Sequence, residues 1–280
     1  MKEINFKLIA QYIEFDTEEQ QVDTEILTEH SFYSSRIKSN DLEVLFQELM
    51  EIKNDWLTYT FDENEMTISI IITLSYPYCN GNRDIKISTE IFELTEKFVQ
   101  SKKDFIEGIK NDDDDSKNAE QGFLIKIGGR DEGIFNVCEI EQNLREANIE
   151  FDIITNKVKR SEAGAGDLLV EAIIFIKDSI ASGIAWDIIK PILLMGAGAA
   201  TKNLFQHRTD TVNFKRLKKD VAMRCNSKTK EVLLFDMFKD ESKNEYCFIF
   251  KVNNLDISIL CDENYNIKEY STNIASEIVN

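Results

Sequence analysis

Residues 162–200 read EAGAGDLLVEAIIFIKDSIASGIAWDIIKPILLMGAGAA, with glycines at both ends of a stretch of little polarity. Three readings compete for it. As a phosphate cradle, Gly164 and Gly166 would open a helix whose first amides bind an anion, with Lys157, Lys159 and Arg160 adding positive charge just upstream. Against this, GxGxxG would need glycine where Leu169 stands, and GxxxxGK[ST] is absent. Asp167 would itself satisfy the helix dipole. As a membrane hairpin, the stretch would need ~20 predominantly apolar residues per span. Asp167, Glu171, Lys177, Asp178, Asp187 and Lys190 interrupt every window, each costing ~2.5–3.5 kcal/mol at a bilayer centre.

The third reading is a pair of helices packed inside a domain. Asp167, Glu171, Asp178 and Ser182 form one narrow polar stripe, and Leu168, Leu169, Ile173, Ile174, Phe175, Ile176 and Ile180 fill the rest. A helix apolar over most of its circumference is buried on most sides. Burying roughly eight large side chains at ~1.5–3 kcal/mol each would make this the centre of a domain. The second helix would resume at Trp186, bend at Pro191 and end at Gly196 and Gly198. If part of that surface is exposed, around Phe175, Gly183 and Trp186, it is an interface with a partner or a second copy.

Working outward, residues 1–110 alternate strand and helix signals. INFKLIAQYIEF (4–15) has β-type alternation, and a polar stretch covers 16–30. NDLEVLFQELMEI (40–52) predicts a helix capped by Asn40 with Glu43 three residues on. MTISIIITLSY (66–76) alternates, and Asn80-Gly81 predicts a hairpin that returns through DIKIS (84–88). A helix over about 90–109 completes an antiparallel sheet packed by two helices. The acidic run KNDDDDSKNAEQ predicts a solvated linker at 111–121, separating modules 1–110 and 122–280. Beyond it, GFLIKI (122–127) predicts a strand, GGRDEG (128–133) a turn, 136–148 a helix and 149–155 a strand. Strands are then expected at 220–225, 231–238, 246–252, 255–261 and 267–271. The expected class is α+β: an N-terminal antiparallel sheet with two helices, then a mixed α/β module with the buried helix pair and C-terminal antiparallel strands.

Composition limits function more than it assigns it. In 280 residues, 42% are hydrophobic and 30% charged, which suits a globular chain with real cores. The formal charge of −18 repels nucleic-acid phosphates and anionic lipid, and favours a basic partner protein. Five cysteines without CxxC spacing and two histidines predict neither a disulfide framework nor a metal centre. The N-terminus MKEINFKLIAQYIEF lacks the form of a signal peptide, so the expected location is cytoplasmic. The abundance of Lys, Asn, Ile and Glu is similar to that of proteins from AT-rich bacterial genomes.

No catalytic motif emerges. With 51 acidic residues, paired carboxylates occur by chance. EVLLFDMFK (231–239) and EYCFIFK (245–251) lack nuclease-type spacing, and nothing in the sequence places Cys138 or Cys225 beside His30 or His207. The candidate ligand positions are therefore Gly128, Gly129 and Arg130, at a strand end where α/β ligands often sit, with Lys159, Arg160, Gly164 and Gly166. No cofactor is expected.

Two stretches resemble known families. LIKI (124–127), IEQNLREAN (140–148), IEFDIIT (149–155), GAGDLLVEAIIFI (164–176), ASGIAWDIIK (181–190) and the strands after 220 resemble the effector-associated constant component domain of bacterial conflict systems, over 122–270. That resemblance implies a non-catalytic adaptor linked to toxic effectors. MTISIIITLSYPYCNGNRDIKIS with TEIFELTEKFVQ gives 1–110 a layout similar to wall-associated toxin immunity proteins. Together they imply a protein-binding component of antiphage defence or toxin–immunity, while a homo-oligomer is expected only from exposed apolar surface of the 162–200 stretch. The alternatives are an oligomerising effector, gated by an anion or acting on membranes, and a hydrolase.

Overall fold

The structure, a computed structural model, describes residues 1–14, 21–78, 85–104, 121–130, 136–162, 167–177, 186–195, 205–209, 212–240, 242–253 and 255–274. Its strands and helices make an α+β fold, as expected, with a mixed sheet and an antiparallel sheet. Two units contain them: Met1–Asn111 with Lys157–Val170, and Asp112–Asn156 with Glu171–Asn280.

The first unit holds β1 (Lys2–Glu14), β2 (Gln21–Ser34), α1 (Ser39–Lys53), β3 (Leu57–Asn64), β4 (Thr67–Tyr78) and α2 (Thr89–Lys102). Its strand order begins β2-β1-β4-β3. Period-two alternation in β1 and β4 points Ile4, Phe6, Leu8 and Ala10 to the same face as Ile68, Ile70, Ile72 and Leu74, row by row. β3 extends the rows with Phe61 beside Ile70, Tyr59 beside Ile72 and Leu57 beside Leu74. Helices cover that face. Phe46 of α1 meets Tyr59 edge-on at 5.2 Å, and Phe98 of α2 lies 6.1 Å from Phe6.

The sheet is mixed rather than antiparallel, because β1 and β4 run parallel. The antiparallel partner of β4 is β3, not residues 84–88. Asn64 closes their turn by accepting from the N–H groups of Met66 and Thr67 at 2.8 and 2.9 Å, an Asx turn. Of the expected return strand, 85–88 is not strand, and Asn80-Gly81 lies outside the described residues. The cap of α1 sits two residues earlier than Asn40, where the Lys38 N–H donates to Asp41 at 2.8 Å. The acidic linker falls almost wholly outside the described residues.

The second unit contains β5 (Gly122–Arg130), α3 (Val137–Glu146), α4 (Trp186–Met195), β8 (Phe205–Arg208), α5 (Phe214–Cys225), β9 (Val232–Asp240), β10 (Glu245–Val252), β11 (Leu255–Cys261) and β12 (Ile267–Ile274). Two strands are divided between the units. β6 (Phe151–Glu162) gives its first half to the second unit and its last residues to the first, and β7 (Asp167–Lys177) does the reverse. Within the second unit the orders are β6-β7-β5-β8 and β12-β11-β10-β9. One core joins Leu124, Ile154, Ile173, Phe175, Phe214 and Leu217 to Phe248, Phe250, Ile257 and Ile259.

The opening stretch is therefore not a helix pair. Among its described residues, Asp167–Lys177 is a strand and only Trp186–Met195 is helical. Ile173, Ile174, Phe175 and Ile176 are all buried, so both faces of β7 are covered, as in an interior strand of a sheet. A continuous apolar run carries no period that separates such a strand from a buried helix, and β-branched and aromatic residues favour the strand. Residues 220–225 depart in the opposite direction. They end helix α5, which Asn213 caps by accepting from the Arg216 N–H at 2.9 Å and which buries Phe214, Leu217, Val221 and Ala222 at helical spacing.

Candidate functional site

Within the first unit, Lys157–Glu162 forms the last part of β6. Alternation sends Val158 and Arg160 to one face and leaves Lys159 exposed on the other. The Arg160 guanidinium lies 5.0 Å from the Phe46 ring centroid. Its Nη1 donates to Glu43 of α1, its Nη2 to Glu162 Oε1 at 2.9 Å, and its Nε to the same oxygen at 3.3 Å. Glu43 also accepts from the Tyr59 hydroxyl at 3.3 Å and from Gln47 at 3.0 Å.

Burial works against the charge of Arg160, yet its bonds to Glu162 and Glu43 outweigh that and hold its pKa above the ordinary value. Burial, then the nearby Glu43 charge, pushes the Tyr59 hydroxyl well above the usual phenol range. The phenol stays a donor at any physiological pH. The cluster is a guanidinium whose fork is filled by the chain's own carboxylates. It fastens β6 to α1, with three of the five guanidinium N–H donors committed to the chain's own carboxylates. Gly164 and Gly166 lie outside the described residues.

In the second unit, Gly128, Gly129 and Arg130 continue β5 instead of forming a turn. A Cβ at Gly128 would stand 2.3 Å from Nε2, the far end of the Gln206 side chain of β8. Phe175 is buried 5.7 Å from Phe214 and belongs to the core, not to an interface. Trp186 opens α4, and Gly183 lies outside the described residues. A shallow cleft of about 270 Å³ is lined by Arg145, Ile149, Glu150, Phe151 and Lys177. Its two cations face carboxylates, Arg145 with Glu141 at 3.7 Å and Lys177 with Asp152 at 3.2 Å. Among the described residues, no group of His, Cys, Asp and Glu could hold a metal ion, and no helix is long and apolar enough to cross a membrane.

The surface feature that sequence reading passed over is β2. It lies at the end of the strand order, laddered to β1 from Lys2↔Ser34 to Glu14↔Gln21 with a register shift at Leu8/Ile9. Gln21 to Ile26 are all exposed, including Val22 at 46% and Ile26 at 53%. Asp23 and Glu25 interleave with these apolar side chains, and Glu25 accepts from the Tyr12 hydroxyl at 3.1 Å. The signal was present: Val22, Thr24 and Ile26 recur at period two, the spacing of a strand.

No family model, curated protein or solved structure matches the chain.

Proposed function

We propose that this protein is a non-catalytic interaction component of a bacterial defence or toxin–immunity system, which binds a basic partner protein through its acidic surface. One observation carries the reading. A chain of formal charge −18 sets many of its cations against its own carboxylates, among them Lys2–Glu63, Arg36–Asp104, Lys102–Asp41, Lys126–Asp236 and Lys268–Glu245. The charge left to face solvent is negative, and such a field steers basic partners and repels polyanions. The resemblances noted in the sequence supply the biological setting.

The test is coexpression with the products of adjacent genes, followed by washing the complex at rising salt. A basic neighbour retained at low salt and released as ionic strength rises supports the reading. Retention of no basic neighbour at low salt overturns it.

A further inference from the structure

We propose that the outer edge of β2 is a docking strand, to which an extended basic segment of the partner adds as a further strand of the first unit's sheet. This rests on the acidic-surface reading and states where and how the partner binds. β2 hydrogen-bonds to β1 along its length and ends the strand order. Its far end is closed, since the Asp104 N–H donates to the Tyr33 carbonyl at 3.1 Å and Asp104 binds Ser35 and Arg36. Its first half, Gln21–Ile26, is exposed on both faces.

Register specifies what fits there. Val22, Thr24 and Ile26 lie across from Ile13, Gln11 and Ile9 on one face, while Asp23 and Glu25 lie across from Tyr12 and Ala10 on the other. A complementary strand sets β-branched apolar residues on the first face and Lys or Arg on the second, alternating at period two. Main-chain bonds then supply affinity and the alternating side chains supply selectivity. The end strand β12 of the antiparallel sheet is different: its exposed residues Lys268, Glu269, Ser271, Thr272 and Asn273 are polar, the usual guard of a sheet edge. β2 contains no Lys, Arg or Pro. Self-pairing is opposed by charge, because antiparallel pairing centred on Thr24 would set Asp23 against Glu25 of a second copy.

The experiment titrates the full chain calorimetrically at low salt with three synthetic peptides. The first alternates lysine and valine, the second is the same peptide N-methylated at alternate backbone amides, and the third carries glutamate for lysine. The lysine peptide should bind. N-methylation, and separately the variant Asp23→Lys/Glu25→Lys, should each weaken it by about tenfold or more, and the glutamate peptide should bind only that variant. Equal binding of the N-methylated peptide, or binding indifferent to the charge reversal, overturns the docking strand while leaving the acidic-surface reading intact. No binding of the lysine peptide also overturns it, and the gene-neighbour coexpression then decides the broader reading. A dimer of the unchanged chain that Ile26→Lys dissolves would assign the edge to a second copy and overturn the proposal.

Discussion

Arg160 of β6 donates to Glu43 of α1 across 117 residues of chain, while its remaining bonds go to Glu162 on its own strand. The guanidinium thereby joins the late-arriving segment of the first unit to an early helix, over the face of Phe46.

Arg160→Ala is expected to destabilise the chain by about 1–2 kcal/mol, from lost charge-assisted bonds to half-buried carboxylates and lost contact with Phe46. Arg160→Lys should recover only part of this, since an ammonium cannot reproduce the planar fork. Urea midpoints at constant slope measure both. Neither substitution should alter any thermal shift produced by a panel of nucleotides. An Arg160-dependent shift would show that the fork takes a phosphate after all.

Gly122 and Gly128 of β5 should respond unequally to alanine. A Cβ at Gly122 meets the Ile176 carbonyl oxygen at 2.2 Å and the Phe175 ring at 2.7 Å, and backbone cannot step aside cheaply. Gly122→Ala should cost about 1–3 kcal/mol. At Gly128 the obstacle is the Gln206 amide, the end of a flexible side chain, so Gly128→Ala should cost less than about 1 kcal/mol. Thermal unfolding of the two variants side by side checks the order.

Alkaline pH should loosen the fold. Burial, then Asp262 and Cys247, pushes the Cys261 thiol from 9.0 up to about 12. Between those values the unfolded chain loses a proton that the folded chain keeps. Fewer protons bound when unfolded means stability falls as pH rises. The loss begins near the unfolded value and grows until the folded thiol ionises. Tyr76, raised by burial to about 12, adds to the same slope. Cys261→Val should flatten the fall in urea midpoint, and in the unaltered chain native Cys261 should resist thiol reagents until unfolding.

The acidic side chains of β2 should also keep it from pairing with itself. Asp23→Val with Glu25→Val leaves an exposed edge that is apolar from Val22 to Ile26, except for Thr24. Such an edge promotes association between copies. Sedimentation over a range of concentrations should show the variant self-associating more than the unchanged chain.

The sequence was most legible where the apolar period is clean. Leu42, Leu45, Phe46 and Leu49 mark α1, and the alternation of Tyr246, Phe248 and Phe250 marks β10. It was least legible where one pattern serves two structures. The unbroken Ile173–Ile176 run fits a buried helix as well as the interior strand it forms. In α5, the last residues alone mimic a strand, and the helical spacing shows only when Phe214 and Leu217 are included. Arg160 could be singled out as an unusual cation, but its partner Glu43 is distant in sequence, and no local pattern announces a long-range ion pair. Parallel pairing of β1 with β4 was hidden for the same reason.

The first unit borrows Lys157–Val170 from far along the chain. During synthesis its sheet therefore waits, its β3 flank unfinished, until the ribosome has delivered residue 170. Closing so long a loop is slow compared with forming local hairpins. A protease cut anywhere between residues 104 and 121 should consequently release no autonomous amino-terminal fragment, because the piece that finishes it travels with the other half.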